Sequence, residues 1–423
     1  MLLRTGAGVL LARMMQGVVN AGCGWLVARE LGPTGQGHYA LTLMIVMLSS
    51  SLANGGVGLA AVPLLKSGAA GLRRIVLAQL GWVALVMPWL VVGAIVAWMA
   101  GAGAWATGML GWTSVLTPVA AALAVLALLL FDIFVYDLTA LGRVVTGPRF
   151  NLARAVLHLA LLTGWALAGR LGLAEALLSY AAAQAVTALA VGLVLGLGSQ
   201  PAEPDPVGIP TLTRSLLRAG WVGQLSSVAS LLHMRLDLML VAFWHGPEVV
   251  GVYSVAVLMG ELLWMLPGAL QPVLVFTAGG PGRDPNRITA QAIRVGLAAT
   301  AAAGLVLALA APRLLDLLFG DAFDDSRAAL WALLPGIVAF APGAILAGDF
   351  IGRGRSSWNA QGSLATVIVN IAVGLVLIPS HGAVGAAWAS TAAYITSSLV
   401  MLLRFRSVSG MGWSEIFLGS RPS

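Results

Sequence analysis

Arg29-Glu30-Leu31-Gly32-Pro33-Thr34-Gly35-Gln36-Gly37-His38-Tyr39-Ala40 is the stretch on which the fold turns. Its skeleton returns 214 residues later as Gly246-Pro247-Glu248-Val249-Val250-Gly251-Val252-Tyr253-Ser254. That offset is close to half of the 423-residue chain. The local physics of the motif is simple. Pro33 and Pro247 lack an N–H and are expected to stop a helix, and Gly37 and Gly251 let the next helix begin close to a neighbour. A motif that recurs at half-length predicts two copies of one architecture.

The flanking sequence says what that architecture is made of. The chain is 59% hydrophobic and only 9% charged, against about 25% charged in an ordinary globular protein. So few charged side chains cannot cover a water-exposed surface, which excludes a cytosolic enzyme. The apolar excess runs from end to end, which excludes a single anchor. A helix needs about 20 apolar residues to cross a bilayer. Hydrophobic runs predict twelve spans, at 6–28, 38–63, 76–100, 113–137, 149–169, 173–197, 217–244, 250–276, 290–311, 328–349, 360–379 and 383–404. Both motif copies fall between the first and second span of a six-span half. The longest polar stretch carries Pro201, Pro204, Pro206 and Pro210. This divides the chain into a first six-helix bundle (1–198), a linker (199–212), a second bundle (213–405) and a tail (406–423). Met1-Leu2-Leu3-Arg4 begins like a signal peptide, but Arg13 interrupts the apolar stretch and no convincing cleavage site follows, so it reads as a retained first helix.

Arginine fixes the orientation. The net charge is +7, from 23 basic and 16 acidic residues. With the N-terminus inside, 17 of the basic residues fall in cytoplasmic segments and four outside, while Arg13 and Arg235 lie within helices. That bias is the positive-inside rule, and it puts both termini in the cytoplasm. It also accounts for the high pI without a nucleic-acid partner. Arginine in place of lysine, with heavy alanine and glycine use, suggests a GC-rich bacterial genome and hence the bacterial plasma membrane. Two halves of six helices share one orientation, and parallel repeats of this kind are a transporter signature.

The residues quoted above, with several others in order, resemble a known family. These are Arg235-Leu236-Asp237, Leu314-Leu315-Asp316-Leu317-Leu318-Phe319-Gly320, Gly352-Arg353-Gly354-Arg355, Val369-Asn370-Ile371 and the closing Gly382-Ala383-Val384-Gly385-Ala386-Ala387-Trp388-Ala389. The sequence is similar to the Wzx-type polysaccharide flippases of the multidrug/oligosaccharidyl-lipid/polysaccharide (MOP) exporter superfamily. The resemblance covers nearly the whole chain. It implies an all-α polytopic fold, two six-helix bundles forming a V around a central cavity as in MATE proteins, working by alternating access. It also implies a substrate, a polyprenyl-phosphate-linked glycan moved to the outer leaflet, with membrane lipids and glycan-assembly enzymes (glycosyltransferases or a polymerase) as partners. Fourteen-helix members include the peptidoglycan-precursor flippase, and this chain has no room for the extra pair.

Charges inside the membrane are costly, about 2.5–3.5 kcal/mol each on insertion scales, and usually face a cavity. Arg13 lies in helix 1, His233, Arg235 and Asp237 in helix 7, and Glu261 in helix 8. Arg235 sits about 160–200° around the helix from Asp237, so the two cannot face one point. Arg13 and Arg235 are the expected substrate residues, because guanidinium binds phosphate bidentately. Asp237 and Glu261 are the expected coupling groups, for H⁺ or Na⁺. The competing reading is a set of structural ion pairs. His233 and His158 read better as packing residues, and Asn54, Gln79, Gln184, Gln224, Gln271 and Asn370 as interhelical glue or sugar contacts. Asp132 and Asp137 end helix 4 near the cytoplasmic face, where hydration is expected. Asp349, Arg353 and Arg355 mark the cytoplasmic end of helix 10.

Several chemistries are missing from the sequence. No Gly-rich phosphate loop contains the only lysine, Lys66, and no histidine pair has zinc-binding spacing. No Gly-x-Ser-x-Gly elbow occurs, and Cys23, alone, cannot form an intrachain disulfide. No catalytic residue, metal or cofactor is expected beyond a coupling ion. The alternatives to a flippase are a cation-coupled multidrug exporter of the same superfamily and a polytopic glycan polymerase or ligase. The last would need a long external catalytic loop, and the longest external connection carries only Arg313 to Arg327.

Overall fold

In the computed structural model, residues 2–97, 99, 102–143, 145–196, 208–277, 284–355 and 357–419 are described. They form helices α1 (Leu2–Asn54), α2 (Val57–Ser67), α3 (Leu72–Ala97), α4 (Gly103–Leu110), α5 (Leu116–Ala140), α6 (Thr146–Leu167), α7 (Leu173–Leu195), α8 (Ile209–Thr277), α9 (Pro285–Leu318), α10 (Asp325–Gly352), α11 (Ser357–Ser409) and α12 (Trp413–Phe417). No strand occurs among the described residues.

Three of these helices are two passes joined at one residue. The breaks are Gly32 in α1, Gly246 in α8 and Gly382 in α11. Gly32 has φ 67°, ψ −176°, and Gly246 has φ 78°, ψ −175°. That region is open essentially to glycine alone. The repeat is therefore a repeat of backbone conformation, and it refines the expectation for the prolines. The helix ends at the glycine, while Pro33 and Pro247 open the next limb, where a missing N–H costs nothing. Eight helices are long and apolar enough to cross a membrane, or nine with the bent α1–α2 pair, and dividing three of them at the glycines agrees with twelve passes.

The chain folds as two compact units. One gathers residues 1–10, 32–37 and 232–423, and the other residues 11–31 and 38–231. The division falls inside α8, after Leu231. Of the expected linker at 199–212, residues 199–207 lie outside the described residues.

Within the first of these units the two motif copies pack on each other. A Cβ at Gly37 would fall on the Pro247 carbonyl oxygen, and a Cβ at Gly251 would fall on that of Pro33. The contact is reciprocal, as an approximate local twofold requires. So the neighbour that each glycine admits is the other copy of its own motif. The core of this unit joins Leu274, Ile293, Ile345, Leu346, Phe350 and Phe405 from α8 to α11, and α12 docks on it through the fully buried Ile416. Arg294 of α9 donates to the Glu415 and Ile416 carbonyls, which ties down the end of the chain.

The other unit has its main core among α2, α3, α5, α7 and the start of α8, with Val57, Ile75, Val76, Leu129, Phe131, Leu138, Val191 and Leu216 inside. Gly55 and Gly56, both at positive φ, bend α1 by 45° into α2. Gly56 and Gly220 meet backbone to backbone, since a Cβ on either would strike the other's carbonyl. Gln224 reinforces this contact by donating to Ser51 Oγ at 2.9 Å.

Candidate functional site

Arg235 and Asp237 lie on the first limb of α8 and point to different partners, as helical geometry requires. Asp237 is 6% exposed. Its Oδ2 accepts from Tyr253 Oη at 2.5 Å and from Ser390 Oγ at 3.0 Å, and its Oδ1 accepts from the Leu238 N–H at 2.8 Å. Ser390 Oγ in turn accepts from Asn370 Nδ2 at 3.1 Å. Asn370 Oδ1 is buried and has no partner among the described residues. The cluster thus joins both limbs of α8 and both limbs of α11.

The break at Gly246 makes this cluster possible. Tyr253 stands 16 residues beyond Asp237. In one straight helix that separation is about 24 Å. Contact requires the chain to fold back, and Gly246 is where it does so. The same fold-back brings Arg235 to Glu261, 26 residues on, with Nη1 and Oε1 3.2 Å apart. The two side chains are 24% and 30% exposed. This is a half-open ion pair, in which each group neutralises the other while remaining within reach of a competitor.

The other expected residues are placed as follows. Arg13 is exposed on α1, and no ion pair with a described residue holds it. The side chain of His233 lies outside the described residues. His158 is buried, 3.4 Å from Tyr39 Oη and edge-on to Tyr180 at 5.4 Å, in agreement with a packing role. Asp349 is fully buried and paired with Arg353 at 2.6 Å, with Thr289 donating to it at 2.7 Å. Gln271 donates to the Ala344 carbonyl and Gln224 to Ser51, so both act as interhelical glue.

Asp137 departs from expectation. Its place near the end of α5 suggested hydration, but it is 0% exposed. Beyond the 45° bend at Gly55–Gly56, α2 packs on α5 with Gly58 against Tyr136, and Gln79 of α3 donates to Asp137 Oδ1 at 3.2 Å. The Arg154 guanidinium lies 4.7 Å over the Phe131 ring and donates to Gln184 Oε1 at 3.0 Å.

Sequence reasoning missed Tyr253 and Ser390 as partners of Asp237. Tyr253 carried a signal, because a tyrosine stands at the same place in both copies of the motif. Applying the 214-residue offset to Asp237 gives Cys23 in the first copy, and to Tyr253 gives Tyr39. Cys23 Sγ reaches only the Ala155 carbonyl, at 3.9 Å. The motif's tyrosine is thus repeated, while its acidic partner is present in one copy only.

The fold is similar to several solved transporters. A lipid II flippase, MurJ, in an inward closed conformation superposes with a TM-score of 0.77 at 11% identity, covering 94% of this chain and 87% of that one. An inward-facing multidrug resistance MATE transporter of the MOP superfamily gives 0.73 at 17% identity, covering 96% and 98%. An outward-facing MATE structure gives 0.60 at 14% identity, covering 96% and 95%. No family model matches the sequence, and no curated protein matches it. The chain has the all-helical membrane-transporter fold shared by the lipid II flippase and the MATE transporters of the MOP superfamily.

Proposed function

We propose that this protein is a flippase for a lipid-linked glycan precursor, carrying a polyprenyl-phosphate-linked sugar chain from the cytoplasmic to the outer leaflet of the bacterial plasma membrane. The Arg235–Glu261 pair is the observation that carries this reading. A guanidinium within a membrane helix, held by one carboxylate and still 24% exposed, suits an anion that arrives and leaves. The bridging phosphate offers a bidentate anionic competitor and displaces Glu261 from Arg235. Glu261, freed, then needs a cation of its own, which couples substrate binding to an ion. Arg13, exposed and without an acidic partner among the described residues, is proposed as a phosphate ligand in its own right.

Asp237 is the coupling-ion residue in this account. Its Oδ2 is bonded to Ser390 Oγ, which Asn370 reaches through Nδ2, and the buried Asn370 Oδ1 has no partner among the described residues. Oxygen ligands suit a hard monovalent cation such as Na⁺, with H⁺ as the other candidate. Both termini are cytoplasmic, and the glycan is supplied by glycosyltransferases on that side and consumed outside by a polymerase or ligase.

A cation-coupled drug exporter is the competing reading, since MATE transporters share the fold. The two readings separate in a deletion strain. A flippase leaves a lipid-linked glycan trapped in the inner leaflet, and a drug exporter leaves only drug sensitivity.

A further inference from the structure

We propose that Asp137 and Gln79 form a proton-binding site in the core of the unit containing α2, α3 and α5, where one proton on Asp137 Oδ2 is donated to Gln79 Oε1 and closes an acid–amide ring. Both side chains are 0% exposed. Gln79 Nε2 donates to Asp137 Oδ1 at 3.2 Å and to the Val57 carbonyl at 3.4 Å. Two buried oxygens of the pair are left over, Asp137 Oδ2 and Gln79 Oε1, neither with a partner among the described residues. Both are acceptors, and they belong to the two groups already joined by one hydrogen bond. A buried polar atom without a partner costs about 1–3 kcal/mol. One proton satisfies both oxygens at once, because it turns Oδ2 into a donor whose acceptor is the same amide.

The surroundings offer Asp137 no other neutralising group. No basic side chain among the described residues stands within 4 Å of it. From α2, Lys66 is exposed. From α3, Arg73 is exposed, and Arg74 precedes Gln79 by five residues and has contacts of its own. On α5 itself stands Asp132, more than a turn earlier, and beyond its end Arg143 donates to the Val194 carbonyl. From α6, Arg149 is exposed and Arg154 is engaged by Gln184. From the start of α8, Arg214 and Arg218 are exposed. The rest of α7 after Glu175 carries no charge. Around the pair stand Val57, Ile75, Val76, Phe134 and Leu138. An ionised carboxylate there would be desolvated with a single donor for two oxygens, which is the costly arrangement.

The ring holds three helices through one proton: α5 by Asp137, α3 by Gln79 and α2 by the Val57 carbonyl. Loss of the proton to water leaves two acceptors with no donor between them and loosens that packing. The proposal does not depend on the transport reading, and its test needs no substrate.

The test uses the full-length protein in lipid nanodiscs. Infrared spectra of wild type and Asp137→Asn are compared at neutral pH, and thermal unfolding is followed from acidic to alkaline buffer. The asparagine amide reproduces both bonds of the ring without a titrating proton. The expected result is loss of one protonated-carboxyl C=O band in Asp137→Asn, together with a wild-type Tm that falls as pH rises and a flatter profile in the variant. The sign follows from the folded state binding one more proton than the unfolded state, so stability is lost as that proton leaves. A second variant, Gln79→Leu, should shift the same band by removing its hydrogen-bond acceptor. An unchanged band and an unchanged pH profile in Asp137→Asn would overturn the proposal. So would loss of the band on adding Na⁺ at constant pH, which would make the site one for a metal cation, and so would failure of Asp137→Asn to fold.

Discussion

Asp237 and Asp137 are both buried aspartates on apolar helices, one in each compact unit, and they are satisfied in opposite ways. Asp237 accepts from Tyr253, from Ser390 and from the Leu238 N–H, three donors that suit a negative charge. Among the described residues Asp137 accepts from Gln79 alone and leaves one oxygen bare. Burial is nearly the same for the two, so depth alone does not set what a membrane carboxylate does. The number of donors within reach does. Three donors make a place for an anion that can call a cation to it, and one donor beside a free amide oxygen makes a place for a proton.

Substitutions test that contrast, and the largest effect is expected at Asp237. Asp237→Ala leaves the Tyr253 and Ser390 hydroxyls without their carboxylate acceptor and should destabilise the unit by about 2–6 kcal/mol, from about 1–3 per stranded group. Thermal unfolding in nanodiscs measures it, and a wild-type Tm would show that the three donors do not matter. Tyr253→Phe removes one bond to a charged group and should cost about 1.5–3 kcal/mol. Its repeat counterpart, Tyr39→Phe, removes a longer neutral bond to His158 and should cost about 0.5–1.5 kcal/mol. Equal losses at the two tyrosines would erase the distinction between the copies. The smallest effect is expected for Asp137→Asn in acidic buffer, within about 0.5 kcal/mol of wild type, since an amide takes over both bonds of the ring.

The sequence made the scaffold legible because the scaffold is written in residue types with few alternatives. Gly32 and Gly246 adopt a backbone conformation essentially closed to other residues, and their spacing exposed the repeat before any helix was placed. The separation of Arg235 from Asp237 was equally legible, since 100° per residue is a property of every helix. The pairing of Arg235 with Glu261 was not. It depends on how α8 folds back at Gly246, and a sequence pattern carries no such angle. Asp137 misled for a related reason. Distance from the helix end predicts hydration only if nothing packs over that end, and beyond the bend at Gly55–Gly56 α2 packs on it. Asn370 was visible as a polar residue in an apolar run, but its bond to Ser390, and through Ser390 to Asp237, belongs to the packing of α11 on α8.

The proposed transport role rests on Arg235, and one measurement addresses it most directly. A strain deleted for this gene is complemented with wild type or with Arg235→Ala, matched for expression, and its lipid-linked glycans are identified and assigned to a leaflet. The account predicts a polyprenyl-linked glycan trapped on the cytoplasmic side in the deletion, cleared by wild type, and cleared at least tenfold more slowly by Arg235→Ala, a loss of about 1.4 kcal/mol or more. No trapped glycan in the deletion, or full clearance by Arg235→Ala, would contradict it.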